Sequence, residues 1–235
     1  MPYVCRGRNP RIDAENFRYR THQGLQDIGQ FLIVFTVLLF SLTVHEMSHA
    51  VTADWFGDPT ARRLGRVSFN PLRHLDPVGS LMLPLMGYFL GGFIFGWAKP
   101  VPVNLANLKN HRKDFLVIAA AGPISNIILA IGASMLLGVV PGGLGASEGI
   151  SGALATFGVA MLHLNLLLAV FNMLPIPPLD GGNVLAGLLP EGLASSYDRV
   201  VRPYGFLIVI VLMSTGWLYR LIGPPISLLE ELLLP

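Results

Sequence analysis

The sequence predicts an all-α polytopic membrane protein: four to six transmembrane or re-entrant helices, with a small β-edge element beside the functional site. Three observations carry that prediction. The 235 residues are 52% hydrophobic and only 13% charged, with a mean hydropathy of +0.59, whereas a soluble domain carries about 25% charged residues. Several apolar runs exceed the roughly 18 residues that mark a membrane span. Between them lies AKPVPVN, residues 98–104, which can only be an extended edge, because its prolines lack the donors of a sheet ladder.

Residues 1–28 form a polar, Arg-rich arm, expected to be flexible or to lie on a surface; it lacks the hydrophobic stretch of a cleaved signal peptide. Residues 29–190 read as one membrane-embedded core, and 191–235 as a C-terminal span and tail. The first helix is expected from about Asp27 to Trp55, ended by Gly57-Asp58-Pro59. Arg66 to Phe69 reads as a short strand between turns. Ser80 to Trp97 is long and apolar but interrupted by Pro84, Gly87, Gly91, Gly92 and Gly96. Asp114–Val140 and Ser151–Leu174 read as full spans, Tyr204–Ile222 as the last, and the tail SLLEELLLP as a short interfacial helix.

Composition excludes several functions. The net charge of +2 is gathered in a few loops, which reports membrane orientation and gives no nucleic-acid surface. Cys5 is the only cysteine, so there is neither an intrachain disulfide nor a thiolate metal site.

The chemistry concentrates in SLTVHEMSHAVTADWFG, residues 41–57. Ionisable groups at membrane depth are costly and are normally functional. His45 and His49 stand four apart on a helix, so their imidazoles share a face one turn apart. That spacing suits two ligands of a tetrahedral metal, and Glu46 lies beside the first without ligating. A catalytic metal site of this type needs a third protein ligand. Two candidates occur near membrane depth: His163, and Asp180 in NMLPIPPLDGG. Asp180 is preferred, because prolines 175, 177 and 178 unwind the chain before it, and irregular backbone at that depth lines cavities. His163 suits a hydrogen bond to a neighbouring helix. His74 and His111 in basic loops, and His22 likewise, are expected to be solvated, Asp54 to face the aqueous rim or a loop amide, and Trp55, Trp97 and Trp217 to anchor at the interface.

HEMSHA in one span, AGPISN (residues 121–126) in a later one and NMLPIPPLDGG at the end of a third resemble, in this order, the site-2 protease family of intramembrane zinc metalloproteases. The resemblance covers residues 30–190 and is to a compact form: nothing in the chain resembles an inserted PDZ-like domain or a nucleotide-binding module. It implies one zinc ion per chain on His45, His49 and Asp180, with Glu46 as general base. Asn172 would help polarise the scissile carbonyl, and Asn126 would support the site or pack helices. The implied function is hydrolysis of a peptide bond in or near the transmembrane segment of a membrane-anchored protein substrate, within the lipid bilayer. A helical substrate must unwind locally, and the edge at Val101 and Val103, or the Arg66 to Phe69 strand, is expected to capture it by strand addition.

A shared metal also constrains topology. If His45, His49 and Asp180 meet, the first and third long helices run parallel, with one crossing between them, so Ser80 to Trp97 should enter and return; a full crossing would put the Arg-rich arm inside but set the histidine pair and Asp180 on opposite faces. The loops bearing Arg62, Arg63, Arg66 and Arg73, and Lys99, Lys109, Arg112 and Lys113, then share a side with Arg199 and Arg202. The positive-inside rule makes that side cytoplasmic, with the site towards it, and the Arg-rich arm then lies outside; the membrane is expected to be the plasma membrane of a prokaryote. A metal transporter would repeat acidic or His residues along a path, and a catalytically dead relative would not need Glu46; neither pattern fits.

Overall fold

Helix α1 runs from Pro10 to Trp55 in the computed structural model, which describes residues 10–83, 85–86, 97–142, 144 and 149–234, with side chains from residue 28 onward. The polar arm is therefore helical from Pro10. Proline is tolerated in a first turn, where its missing N–H has no partner to lose, and residues 11–30 include three Arg and three Gln, good helix formers. The membrane-spanning part is Ile28–Trp55. Gly57, at φ 100°, ends the helix in a conformation that a side chain would strain.

Two further helices, α2 (His111–Val139) and α3 (Gly149–Asn172), are long and apolar enough to cross a membrane. Their register fixes their directions. His45 of α1 meets Asn126 of α2, and His49, one turn later, meets Ile118, two turns earlier, so α1 and α2 are antiparallel. Asn126 bonds Asn165 of α3, while Leu137 lies over Gly158, so α2 and α3 are antiparallel too. Helices α1 and α3 consequently run parallel, as a shared metal requires. Val37, Ala130, Ala133, Leu137, Leu162 and Leu166 form the buried seam between the three. The small residues in it admit close backbone approach, the main means of packing helices in lipid. Ile124, Ile128, Ile131, Met135 and Val139 are exposed along the opposite side of α2 and make its lipid face.

The loops on either side of residues 80–97 are joined. Arg66 Nη1 donates to the carbonyls of Arg73 (2.6 Å) and Lys99 (3.3 Å), and the Lys99 N–H to His74 O (2.8 Å). Ser80 Oγ donates to Trp97 O (2.7 Å), and the Trp97 N–H to Gly79 O (3.2 Å). The two ends of the expected re-entrant segment thus touch; its interior, residues 84 and 87–96, lies outside the described residues. Neither expected β element pairs in a sheet. Arg66 to Phe69 is a bend, and residues 98–104 run without helix or ladder; no strand occurs among the described residues. His74 is not solvated but 2% exposed, its Nε2 donating to Ser68 O (2.9 Å), and Asp54 is ion-paired with Arg62.

The C-terminal part departs most from expectation. After α4 (Asp180–Leu188) and α5 (Glu191–Val200) come α6 (Gly205–Ser214) and α7 (Trp217–Leu233). The expected last span is broken at Gly216, at φ 73°, and the chain bends there by 82°. The tail is the end of α7, not a separate interfacial helix. Ile222 and Ile226 of α7 join the seam with Met161 and Leu162.

Candidate metal centre

His45 and His49 are buried on the face of α1 that meets α2. Each uses Nδ1 to hold itself: His45 donates to Asn126 Oδ1 (2.6 Å) and His49 to Ile118 O (2.7 Å). A backbone carbonyl only accepts, so the proton of His49 sits on Nδ1 and its Nε2 presents a lone pair. The same assignment for His45 turns both Nε2 atoms, 3.2 Å apart, towards one point.

Asp180 arrives at that point from α4. Its Oδ2 lies 3.2 Å from His45 Nε2 and 3.5 Å from His49 Nε2, is buried and has no hydrogen-bond partner among the described residues. Gly181 lets α4 start so close beneath the preceding loop, since a β-carbon there would lie 2.2 Å from Met173 O. Three electron-pair donors facing one another without a shared proton repel unless a cation lies among them. Ligand bonds of about 2.0–2.2 Å in a tetrahedral zinc site imply donor separations of roughly 3.4 Å, and the three observed separations match. Gly122 of α2 completes the cradle: its β-carbon would stand 2.4 Å from His49 Nε2 and 2.6 Å from His45 Nε2.

The group opens into a cavity of about 590 Å³ lined by α1, α2, α3, residues 97–103 and the α6–α7 elbow. Glu46, Asn172, Val101 and Val103 all reach it. Glu46 Oε2 accepts the Val101 N–H (3.0 Å), which leaves Oε1 without a partner among the described residues. Asn172 Nδ2 donates to Leu168 O within its own helix (3.0 Å). His163, the other candidate ligand, is half-exposed and pairs with Glu230 of α7 at 2.5 Å. His45, His49 and Asp180 are the only metal-capable group of this kind among the described residues.

Residues 32–158 and 145–214 match Peptidase family M50. The chain belongs to this family. It is 39% identical over 179 residues to "Putative zinc metalloprotease YwhC" of Bacillus subtilis, covering 76% of this chain and 78% of that one. It is 35% identical over 207 residues to "Putative zinc metalloprotease Rip2" of Mycolicibacterium smegmatis, covering 85% and 73%. Over 80 residues it is 42% identical to "Putative zinc metalloprotease MJ0611" of Methanocaldococcus jannaschii, covering 31% and 37%. No solved structure matches. This M50 member is therefore a zinc metallopeptidase of the site-2 protease type and an integral membrane protein.

Two parts of the centre escape a reading of motifs. Gly122 is visible in AGPISN, but its closeness to the histidines depends on helix packing. Asn165 and Ser41, each 0% exposed, extend the hydrogen bonding of His45 across α2 and α3 and back to α1. The only signal for them is polarity inside apolar spans.

Proposed function

We propose that this M50 metallopeptidase cuts a peptide bond in or near the transmembrane segment of a membrane-anchored protein, from a site towards the cytoplasmic face of a prokaryotic plasma membrane. His45, His49 and Asp180 hold one zinc ion. The observation that carries this reading is the convergence of their three donor atoms on the wall of an apolar cavity, with an underused carboxylate, Glu46, beside them.

When bound, zinc supplies Lewis acidity, acidifying a water and polarising a carbonyl. Glu46, fixed at Oε2 by Val101, has Oε1 available to take the water's proton and pass it to the leaving amine nitrogen. Asn172 releases its amide from Leu168 O and donates it to the scissile carbonyl as negative charge develops there. The apolar lining suits an unwound stretch of a hydrophobic helix and limits water. Extended geometry turns the N–H and C=O groups of Val101 and Val103 to one side. Val101 N–H already reaches the site on that side, and Asn104 N–H points the other way to Asp58 Oδ2 (2.7 Å). Pro100 and Pro102 thus lack donors only where the substrate does not pair; with the Val101 N–H held by Glu46, the edge offers Val101 O and the N–H and C=O of Val103 to a substrate added as a strand.

The test is cleavage of a defined transmembrane substrate by purified protein. Glu46→Gln should lower the rate by about 10²–10⁴-fold while zinc content stays at that of the wild type. Cleavage that survives this substitution would overturn the assignment.

A further inference from the structure

Helices α1, α2 and α3 are joined by a chain of buried side chains. His45 Nδ1 donates to Asn126 Oδ1 (2.6 Å), Asn126 Nδ2 to Asn165 Oδ1 (2.8 Å), and Asn165 Nδ2 to both Ser41 Oγ (2.9 Å) and Met161 O (2.7 Å). Ser41, Asn126 and Asn165 are each 0% exposed. The amide of Asn126 could present either end to His45, and the two choices have opposite consequences. With Oδ1 towards the imidazole, Nδ1 carries the proton and Nε2 is a ligand; with Nδ2 towards it, Nε2 is protonated and cannot bind a metal.

We infer that Asn165 is a positioning residue which, through the amide of Asn126, fixes His45 in the tautomer that binds zinc. The direction of the chain is set at its far end. Met161 O is a backbone carbonyl and accepts only, so the atom of Asn165 that lies 2.7 Å from it is the amide nitrogen. Oδ1 of Asn165 is then turned to Asn126, which must answer with Nδ2 and so directs Oδ1 at His45. Ser41 supports the arrangement without deciding it, since a hydroxyl both donates and accepts. One main-chain carbonyl of α3 thereby selects the protonation pattern of a side chain on α1. His49 needs no such device, because Ile118 O is itself a carbonyl. Buried in apolar surroundings, a reversed amide finds no water to correct it, so the orientation is fixed by the protein alone.

The inference rests on His45 being a zinc ligand, and the test separates the two. Zinc affinity is measured in detergent by competition with a chromophoric chelator, and coordination by the visible absorption of the cobalt-substituted protein. His45→Ala should abolish tight binding; if it does not, the ligand assignment itself fails. Asn165→Leu should weaken zinc binding by about 10–100-fold, the usual effect of losing a partner behind a ligand, and should alter the cobalt spectrum. Adding Asn126→Asp should restore affinity, because a carboxylate offers an acceptor to His45 whichever way it turns. If Asn165→Leu does not fold, Asn165→Ser, too short to reach Asn126, should show the same loss and the same rescue. Wild-type affinity in the Asn165 variant, or no recovery in the double variant, would mean that Asn165 only packs helices.

Discussion

Gly122 lies against His49 so closely that a β-carbon on it would stand 2.4 Å from Nε2, the atom turned towards Asp180. Contacts of that length do not occur, so one of the helices α1 and α2 would have to give. Glycine here is a requirement of the donor geometry, not of backbone conformation. Gly122→Ala should reduce zinc affinity at least about tenfold, with helix content by circular dichroism unchanged. Zinc binding equal to the wild type would show that the seam yields freely.

The proposed choice of third ligand rests on where α3 faces and on the course of the chain before α4. His163 points to α7 and pairs with Glu230, while Asp180 is drawn to the histidines by the unwound segment before α4. His163→Leu should therefore leave zinc stoichiometry at one per chain, and Asp180→Ala should lose the metal. Metal analysis of the two purified variants separates them directly.

The centre was legible in the sequence where its chemistry is local. His45 and His49 share a helix face by spacing alone, and the prolines before Asp180 announce irregular backbone. The parallel course of α1 and α3 followed from asking that these groups meet. What the sequence did not carry is tertiary. Tyr204–Ile222 has the hydropathy of a single span, but Gly216 adopts a positive φ and turns α7 back onto α3. His74 looked solvated in a basic loop and is buried, because that loop folds onto Lys99. Residues 98–104 have the composition of an edge but no neighbouring strand among the described residues, their site-facing amide being taken by a side chain, Glu46.

Asn172 reaches the cavity but uses its amide on its own helix, at Leu168 O. The role proposed for it at the scissile carbonyl would come into play only as charge develops there. Asn172→Ala should then lower kcat by about 10²–10³-fold, with KM and zinc affinity little changed. A rise in KM at constant kcat would instead make Asn172 a substrate-binding group.

The contact of Ser80 with Trp97 brings the two ends of this segment together. A segment whose ends hydrogen-bond to each other cannot begin on one face of the membrane and finish on the other. Single cysteines at Arg63, Lys109 and Ile150, all exposed, in a Cys5→Ser background, test this with an impermeant maleimide on intact cells and inverted vesicles. Positions 63 and 109 should react from the cytoplasmic side and position 150 from the other. Labelling of 63 and 109 from opposite sides would overturn the topology.

Asp58 ties the loop after α1 to the segment that borders the cavity. It is fully buried and accepts from Thr60 N (3.1 Å), Thr60 Oγ1 (2.5 Å), Asn104 N (2.7 Å) and Asn107 Nδ2 (2.7 Å). Burial by itself would raise its pKa, but these hydrogen bonds to the carboxylate prevail and hold it below the usual range. A carboxyl whose pKa is lower in the folded protein binds protons more readily when unfolded, so it stabilises the fold at pH values above its unfolded pKa of about 3.9. That contribution is lost as pH falls from there through the folded value. Asp58→Asn keeps the shape but turns a donor towards groups that themselves donate, and should cost about 1–3 kcal/mol at neutral pH. Thermal unfolding in detergent, followed from pH 7 downwards, should show the wild type losing its advantage over Asp58→Asn only in the acid range. An equal gap at every pH would mean that the charge of Asp58 contributes nothing to holding residues 104–107 against the end of α1.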